Sequence, residues 1–233
     1  MRIPITKRLK TAAEMIGRAE VLCDIGCDHG YLPIYLLQNQ QIRFAYACDL
    51  RDGPLKTAAK NIAAYHWKDA VQTVKSDGLH ELSELDFDVI SICGMGGRLI
   101  SEILSNDLEI AYRAKRLVLQ PMSEIPVLRK FLSENGFQIQ EERLAVEDRR
   151  FYVLMTVVKG EPSYQSVLEY AIGPKIFSGS DPVTRDYLAK EIYRYRAILE
   201  ARGGLKNAPE IGEILLELEK MQTFCKKSKE NTI

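Results

Sequence analysis

The sequence predicts an α/β fold: a seven-stranded, mostly parallel sheet with an antiparallel terminal strand, followed by a small C-terminal helical domain. Three features lead there. Short apolar runs alternate with helical stretches through the first two thirds of the 233-residue chain, which implies parallel strands joined by helical crossovers. Two long extended runs then follow one another across a charged turn, as a hairpin would. After Gly160 the strand-like runs stop and two helix-period segments take over. The expected division is therefore 1–160 for the sheet domain and 161–233 for an antiparallel, coiled-coil-like helical hairpin.

Taken in order, "AEVLCDI" is the first strand and ends at Asp24. "YLPIYLLQNQ" is a helix with Pro33 in its first turn, where a missing N–H costs little. "RFAYACDL" is the second strand. In "GPLKTAAKNIAAYH", Leu55, Ala58, Ala59, Ile62 and Ala63 make one apolar stripe. "AVQTVKSDGL" and "FDVISICGMGG" are the third and fourth strands, and "GRLISEILSND" the helix after them. "AKRLVLQPM" is the fifth strand, and "IPVLRKFLSENG" a helix closed by Gly136. "FQIQEERLAVED" and "RFYVLMTVVKG" form the hairpin. In the tail, Tyr187, Leu188, Ile192, Tyr195 and Leu199 repeat at helical spacing, as do Ile211, Ile214, Leu215, Leu218 and Met221, with Gly203-Gly204 between the two sets.

Composition narrows the classes. Thirty-two basic residues balance 32 acidic ones, which argues against coating nucleic acid through charge alone. A local cluster of Arg2, Lys7, Arg8 and Lys10 still offers phosphate contacts, with a solvated amphipathic helix as the plainer reading. No stretch approaches the roughly 18 apolar residues that cross a membrane, and the first residues lack a signal-peptide pattern. A cytoplasmic protein, a monomer or weak dimer, is expected. The five cysteines, Cys23, Cys27, Cys48, Cys93 and Cys225, are odd in number and mostly lie in apolar runs. They read as small buried hydrophobes. Cys23, Cys27 and His29 lack the further ligand pair that would complete a zinc site, so no metal is expected.

In sheets of this kind ligands bind at the carboxyl ends of the strands. Those ends read Asp24-Ile25-Gly26, Asp49-Leu50, Ser76-Asp77-Gly78 and Gly94-Met95-Gly96-Gly97. A pyrophosphate-binding turn would be GxGxxG. Here an acid stands at the first glycine position and Asp28 adds a second, and two carboxylates would repel a diphosphate. They suit a ligand with a cationic amino-acid end and no phosphate, as in S-adenosylmethionine. Asp24 can then hold the loop amides or the ammonium. Gly26 and Gly30 allow close approach. Asp49, next to Leu50, can accept from the ribose hydroxyls, and Asp77 from the adenine amino group, with Gly78 leaving room for the ring. Singly, each acid also reads as a cap or turn residue.

The stretches "KRLKTAAEMI", "DIGCDHGYLP", "GMGG" and "LVLQP", with the helical tail, resemble the bacterial tRNA (adenine(22)-N1)-methyltransferase family, TrmK, over the whole length. The resemblance implies a Rossmann-like class I methyltransferase fold, S-adenosylmethionine as cofactor, and methyl transfer to N1 of an adenine in tRNA. Asp28 and Tyr31 are the catalytic candidates, with His29 a cofactor or substrate contact. Gly94 belongs to both sets, since its carbonyl can accept from the adenine 6-amino group. Met95, Lys7, Arg8, Lys10 and Arg149 complete the candidate tRNA contacts. Two competing readings are a methyltransferase of the same fold acting on a small molecule or protein, and a non-catalytic RNA-binding protein.

Overall fold

The computed structural model describes residues 3–178 and 182–230, with side chains as far as Thr223. Arg2, Gly179 and the Cys225 side chain lie outside it. The chain divides into two compact units, Met1–Ser163 and Tyr164–Ile233.

The first unit opens with helix α1 (Lys7–Ile16), capped by the Thr6 hydroxyl, which accepts from the Leu9 amide at 3.2 Å. Strand β1 (Val21–Ile25) runs into α2 (Tyr31–Gln38), β2 (Phe44–Asp49) into α3 (Asp52–Ala64), and β3 (Val71–Lys75) into a short 3-10 turn. Strand β4 (Val89–Met95) leads to α4 (Gly97–Asn106) and a six-residue helix, α5 (Leu108–Arg113), that the periodicity does not foreshadow. Strand β5 (Arg116–Pro121), α6 (Ile125–Glu134), β6 (Phe137–Glu147) and β7 (Arg150–Lys159) complete the unit.

The strand order is β3-β2-β1-β4-β5-β7-β6, with β1 to β5 parallel. The chain reverses its direction of travel across the sheet between β1 and β4, which places a crevice at their carboxyl ends. The last strand in sequence, β7, is the antiparallel one, and it is inserted between β5 and β6. Burial explains the insertion. Val153 to Val157 of β7 are buried on both faces, as a central strand requires, whereas β6 alternates buried and exposed positions and carries Glu141 and Arg143 outward, as an edge strand does. From Leu119 opposite Met155, the first residues of β7 carry on past the end of β5, so the hairpin turn stands on the rim where the parallel strands end.

The core is continuous from Leu22, Ala45 and Val89 in the strands to Ala12, Ile16, Ile34 and Leu36 in the helices. Among the described residues one ion pair is fully buried. The Arg129 Nε donates to Glu142 at 2.9 Å, and both side chains are almost wholly excluded from solvent. The pair fastens α6 to β6, and removing either partner alone would strand a buried charge.

The second unit contains α7 (Val167–Ile172), closed by a reciprocal Ser166–Glu169 capping box, then α8 (Pro182–Ala201) and α9 (Pro209–Glu230). Leu188, Ile192 and Tyr195 of α8 pack with Ile214 and Leu218 of α9. Gly203 and Gly204 both take positive φ in the turn between them. Tyr187 and Tyr195 are buried and Tyr193 is exposed.

Candidate active site

A cavity of about 570 Å³ opens at the carboxyl ends of β1 to β4. Its wall holds Asp24, Gly26, Asp28, His29, Tyr31, Asp49, Leu50, Asp77, Gly78, Gly94, Met95 and Arg8. Thus twelve residues singled out in the sequence meet in one place. Four do not reach the wall: Gly30, Lys7, Lys10 and Arg149. Gly30 is buried with φ +69°, and a Cβ there would sit 3.3 Å from the Ala58 Cβ, so its small size serves the packing of the turn on α3. Lys7 and Lys10 are exposed on α1, while Arg8, between them, turns inward. Arg149 sits at the exposed tip of the β6–β7 hairpin with φ +60°.

Each acid is placed by the strand that precedes it. Asp24 ends β1 within the core, where burial pushes its carboxyl up to about 7. The Ser91 hydroxyl, on neighbouring β4, donates to Asp24 at 2.6 Å and works in the opposite direction, while nearby Asp49 adds to the rise. Asp24 does not hold the loop amides: those of Gly26 and Cys27 both donate to the Cys48 carbonyl at 2.9 Å. Asp49 is also buried, and its carboxylate accepts from the Arg51 amide at 3.0 Å. Asp77 is exposed at the end of β3. Its amide donates to Glu81 at 3.2 Å, and the Ser76 hydroxyl, 2.8 Å from the same carboxylate, holds Glu81 below the usual range.

Asp28 lies between the two glycines with φ +48°, a conformation that an aspartate tolerates better than most residues. It does not cap α2, whose N-cap is Gly30 without any side-chain bond. Its carboxylate instead lies 3.4 Å from His29 Nε2, and the His29 ring stacks on Tyr31 with centroids 5.5 Å apart. Asp28 and His29 are both exposed, so the trio stands at the mouth of the cavity rather than in its floor.

The thiols nearby are inert. Burial pushes Cys23 and Cys93 up to about 12, and Cys27 and Cys48 higher still, so each stays protonated. Among the described residues no three His, Cys, Asp or Glu side chains group as metal ligands.

This donor set fits S-adenosylmethionine. Three carboxylates stand at three successive strand ends, two of them buried and the deepest costly to ionise without a cation beside it. Leu50, Leu99 and Ile103 give the same cavity apolar lining, as an adenine ring requires, with Ile103 beside Gly78. Gly26 lies where a Cβ would come within 2.3 Å of the Met95 Cε, and Gly78 takes φ +64° against Ile103. Two residues that sequence reasoning passed over shape the same site: Ser91 and Gln120. The signal was there, because each is a polar residue set among buried apolar neighbours of its strand, and buried polar groups need partners.

A methyltransferase-domain family matches residues 5–155. A tRNA (adenine(22)-N(1))-methyltransferase of Bacillus subtilis is 29% identical over 203 residues, which is 85% of this chain and 85% of that protein. A putative tRNA methyltransferase of Mycoplasma pneumoniae is 34% identical across 75% of this chain and 82% of its own length. Among solved structures, Streptococcus pneumoniae Sp1610, a putative tRNA (m1A22) methyltransferase in complex with S-adenosyl-L-methionine, superposes with a TM-score of 0.84. It is 33% identical, over 94% of this chain and 99% of that one. Sheet, cavity and relatives agree: the chain belongs to the methyltransferase-domain family and, within it, to the TrmK tRNA (adenine(22)-N1)-methyltransferases.

Proposed function

We infer that the protein methylates N1 of adenine 22 in tRNA, with S-adenosylmethionine as the methyl donor. The observation that carries this is one cavity lined by Asp24, Asp49 and Asp77 together with Gly94 and the Asp28–His29–Tyr31 trio. When bound, the cofactor supplies an electrophilic methyl group. Asp24 would hold its cationic amino-acid end, Asp49 the ribose hydroxyls and Asp77 the adenine amino group.

The target nitrogen attacks through a ring lone pair and loses no proton in doing so. The chain's task is therefore orientation and charge stabilisation. Gly94 carries no side chain to obstruct a base, and its carbonyl accepts from the 6-amino group. The product base is cationic, so the Asp28 carboxylate favours the product-like state over the reactant. Tyr31, held by its stack on His29, supplies a ring or hydroxyl contact. In a folded tRNA this N1 is engaged in pairing or stacking, so the base must leave its stack to reach the cavity. Lys7 and Lys10 on α1, and Arg149 on the rim hairpin, are the phosphate contacts of this reading. The C-terminal helices grip the RNA. The protein acts in the cytoplasm as a monomer or weak dimer.

The test is incubation with unmodified tRNA and methyl-labelled cofactor, followed by mapping of the labelled nucleotide. Label at N1 of adenine 22 is expected. Absence of label from RNA would put a small-molecule or protein acceptor in its place.

A further inference from the structure

We propose that Gln120 is a positioning residue for the target base: it fastens the bulged Gly94, and Arg8 fixes which way round the Gln120 amide sits. Between Cys93 and Met95 the β4–β5 register slips, so that Cys93 faces Gln120, Met95 faces Pro121, and Gly94 is the extra residue with no ladder partner. A bulged residue must find another acceptor for its amide. The Gly94 N–H finds the side-chain oxygen of Gln120 at 3.1 Å. Gly94 takes φ +85° there, a conformation that frees its carbonyl from the strand pattern.

All four hydrogen-bonding positions of the Gln120 amide are engaged. Its oxygen accepts from Gly94 and from the Arg8 guanidinium. Its nitrogen donates to the Pro121 carbonyl at 2.8 Å and lies 3.5 Å from the Met122 sulfur. An amide can flip, and a flipped Gln120 would turn its NH2 toward two donors. Arg8 has only donors to offer, so it enforces the orientation that keeps the oxygen on Gly94. Arg8 is itself steadied by the Tyr152 ring, 5.8 Å from its guanidinium carbon. Four elements, α1, β4, β5 and β7, thus meet on one backbone turn. Gln120 is fully buried after the apolar run Leu117–Leu119, where a leucine would satisfy packing alone. The amide is explained by what it holds.

The role in methylation rests on the function proposed above, whereas the fastening of Gly94 does not. The experiment uses the full chain with unmodified tRNA and S-adenosylmethionine, alongside amide hydrogen exchange of Gly94 measured without RNA. Gln120→Leu is expected to lower kcat about 100-fold, the scale of a misplaced reacting group, with KM for tRNA and cofactor affinity unchanged and Gly94 exchange protection lost. Gln120→Glu keeps an oxygen for both donors, though it gives up the bond to the Pro121 carbonyl, and should restore protection and part of kcat. Equal losses in the two variants, or a change in KM alone, would overturn the proposal. Should Gln120→Leu fail to fold, Arg8→Ala gives the second reading. A kcat loss partly rescued by millimolar guanidinium supports the lock, and a weakened salt dependence with unchanged kcat overturns it. If the unaltered protein leaves tRNA unmethylated while Gln120→Leu still loses Gly94 protection, the proposed substrate fails and the fastening stands.

Discussion

Two glycine-bearing turns border the cavity, and they use glycine for different reasons. In the β1–α2 turn, Gly26 and Gly30 are needed for their backbone, with φ of +73° and +69°. In the β4–α4 turn only Gly94 takes positive φ. Gly97 lies in an ordinary helical conformation, but a Cβ there would come within 2.5 Å of the Glu124 carbonyl oxygen, and its amide donates to Ser123 at 2.8 Å. The first turn presents acids to the cavity. The second combines a bulge at the cavity wall with a tight packing joint behind it. Similar letters in the sequence therefore stand for a conformational demand at Gly26, Gly30 and Gly94, with a packing demand added at Gly30, and for a steric demand alone at Gly97.

Substitution can break that contrast. Gly97→Ala should have the largest effect, because fixed backbone gives way poorly: a loss of about 3 kcal/mol in chemical denaturation is expected from overpacking. A melt unchanged from the parent would mean the joint can relax. Asp49→Ala, in neither turn, should weaken S-adenosylmethionine binding roughly 100-fold by calorimetry, the scale of two hydrogen bonds to a charged group.

The third prediction concerns pH. Burial lifts Asp24 to about 7, above its ordinary 3.8. In the free protein its contribution to stability is full below about pH 4 and is lost as pH rises toward 7, because folding takes up a proton across that window. A cationic ligand reverses the preference. Binding should then release close to one proton at pH 6, and affinity should rise up to about tenfold per pH unit before levelling above 7. Calorimetry in buffers of different ionisation enthalpy reads that proton directly, and Asp24→Asn should abolish its release.

Asp28→Asn should lower kcat by about tenfold, as expected for losing one charge near a developing cation at a solvated rim, with cofactor affinity nearly unchanged. Loss of cofactor affinity instead would move Asp28 from the target base to the cofactor. The smallest effect belongs to Gly30→Ala. Strain at positive φ should cost about 1 kcal/mol of stability, while cofactor binding persists because Gly30 is outside the cavity wall.

The sheet and the acids were legible because polar residues punctuate the strands at their carboxyl ends. Asp24 and Asp49 each close an apolar run and Asp77 follows the mixed strand VQTVK, and the topology does the rest by aligning those ends. The pairing of Ser91 with Asp24 was not legible, since 67 residues separate them and only strand order makes them neighbours. The same holds for Gln120 and Gly94. Gly30 carries the same letter as Gly26, and its packing on Ala58 depends on where α3 lies. The position of β7 was half legible: its unbroken burial marks a central strand, but nothing local says which strands flank it.

That insertion has a consequence for synthesis. The strands that carry the cavity acids are complete once Val71–Lys75 has emerged, and β5 by Pro121, yet the free edge of β5 finds its neighbour only when Met155 to Val157 arrive. Until then Leu117, Val118 and Leu119 line an open edge, the kind of template on which chains aggregate. The growing chain thus holds a built but unsealed sheet while β6 is made. A fragment ending at β6 would keep every cavity residue named above and still lack the strand that closes its core.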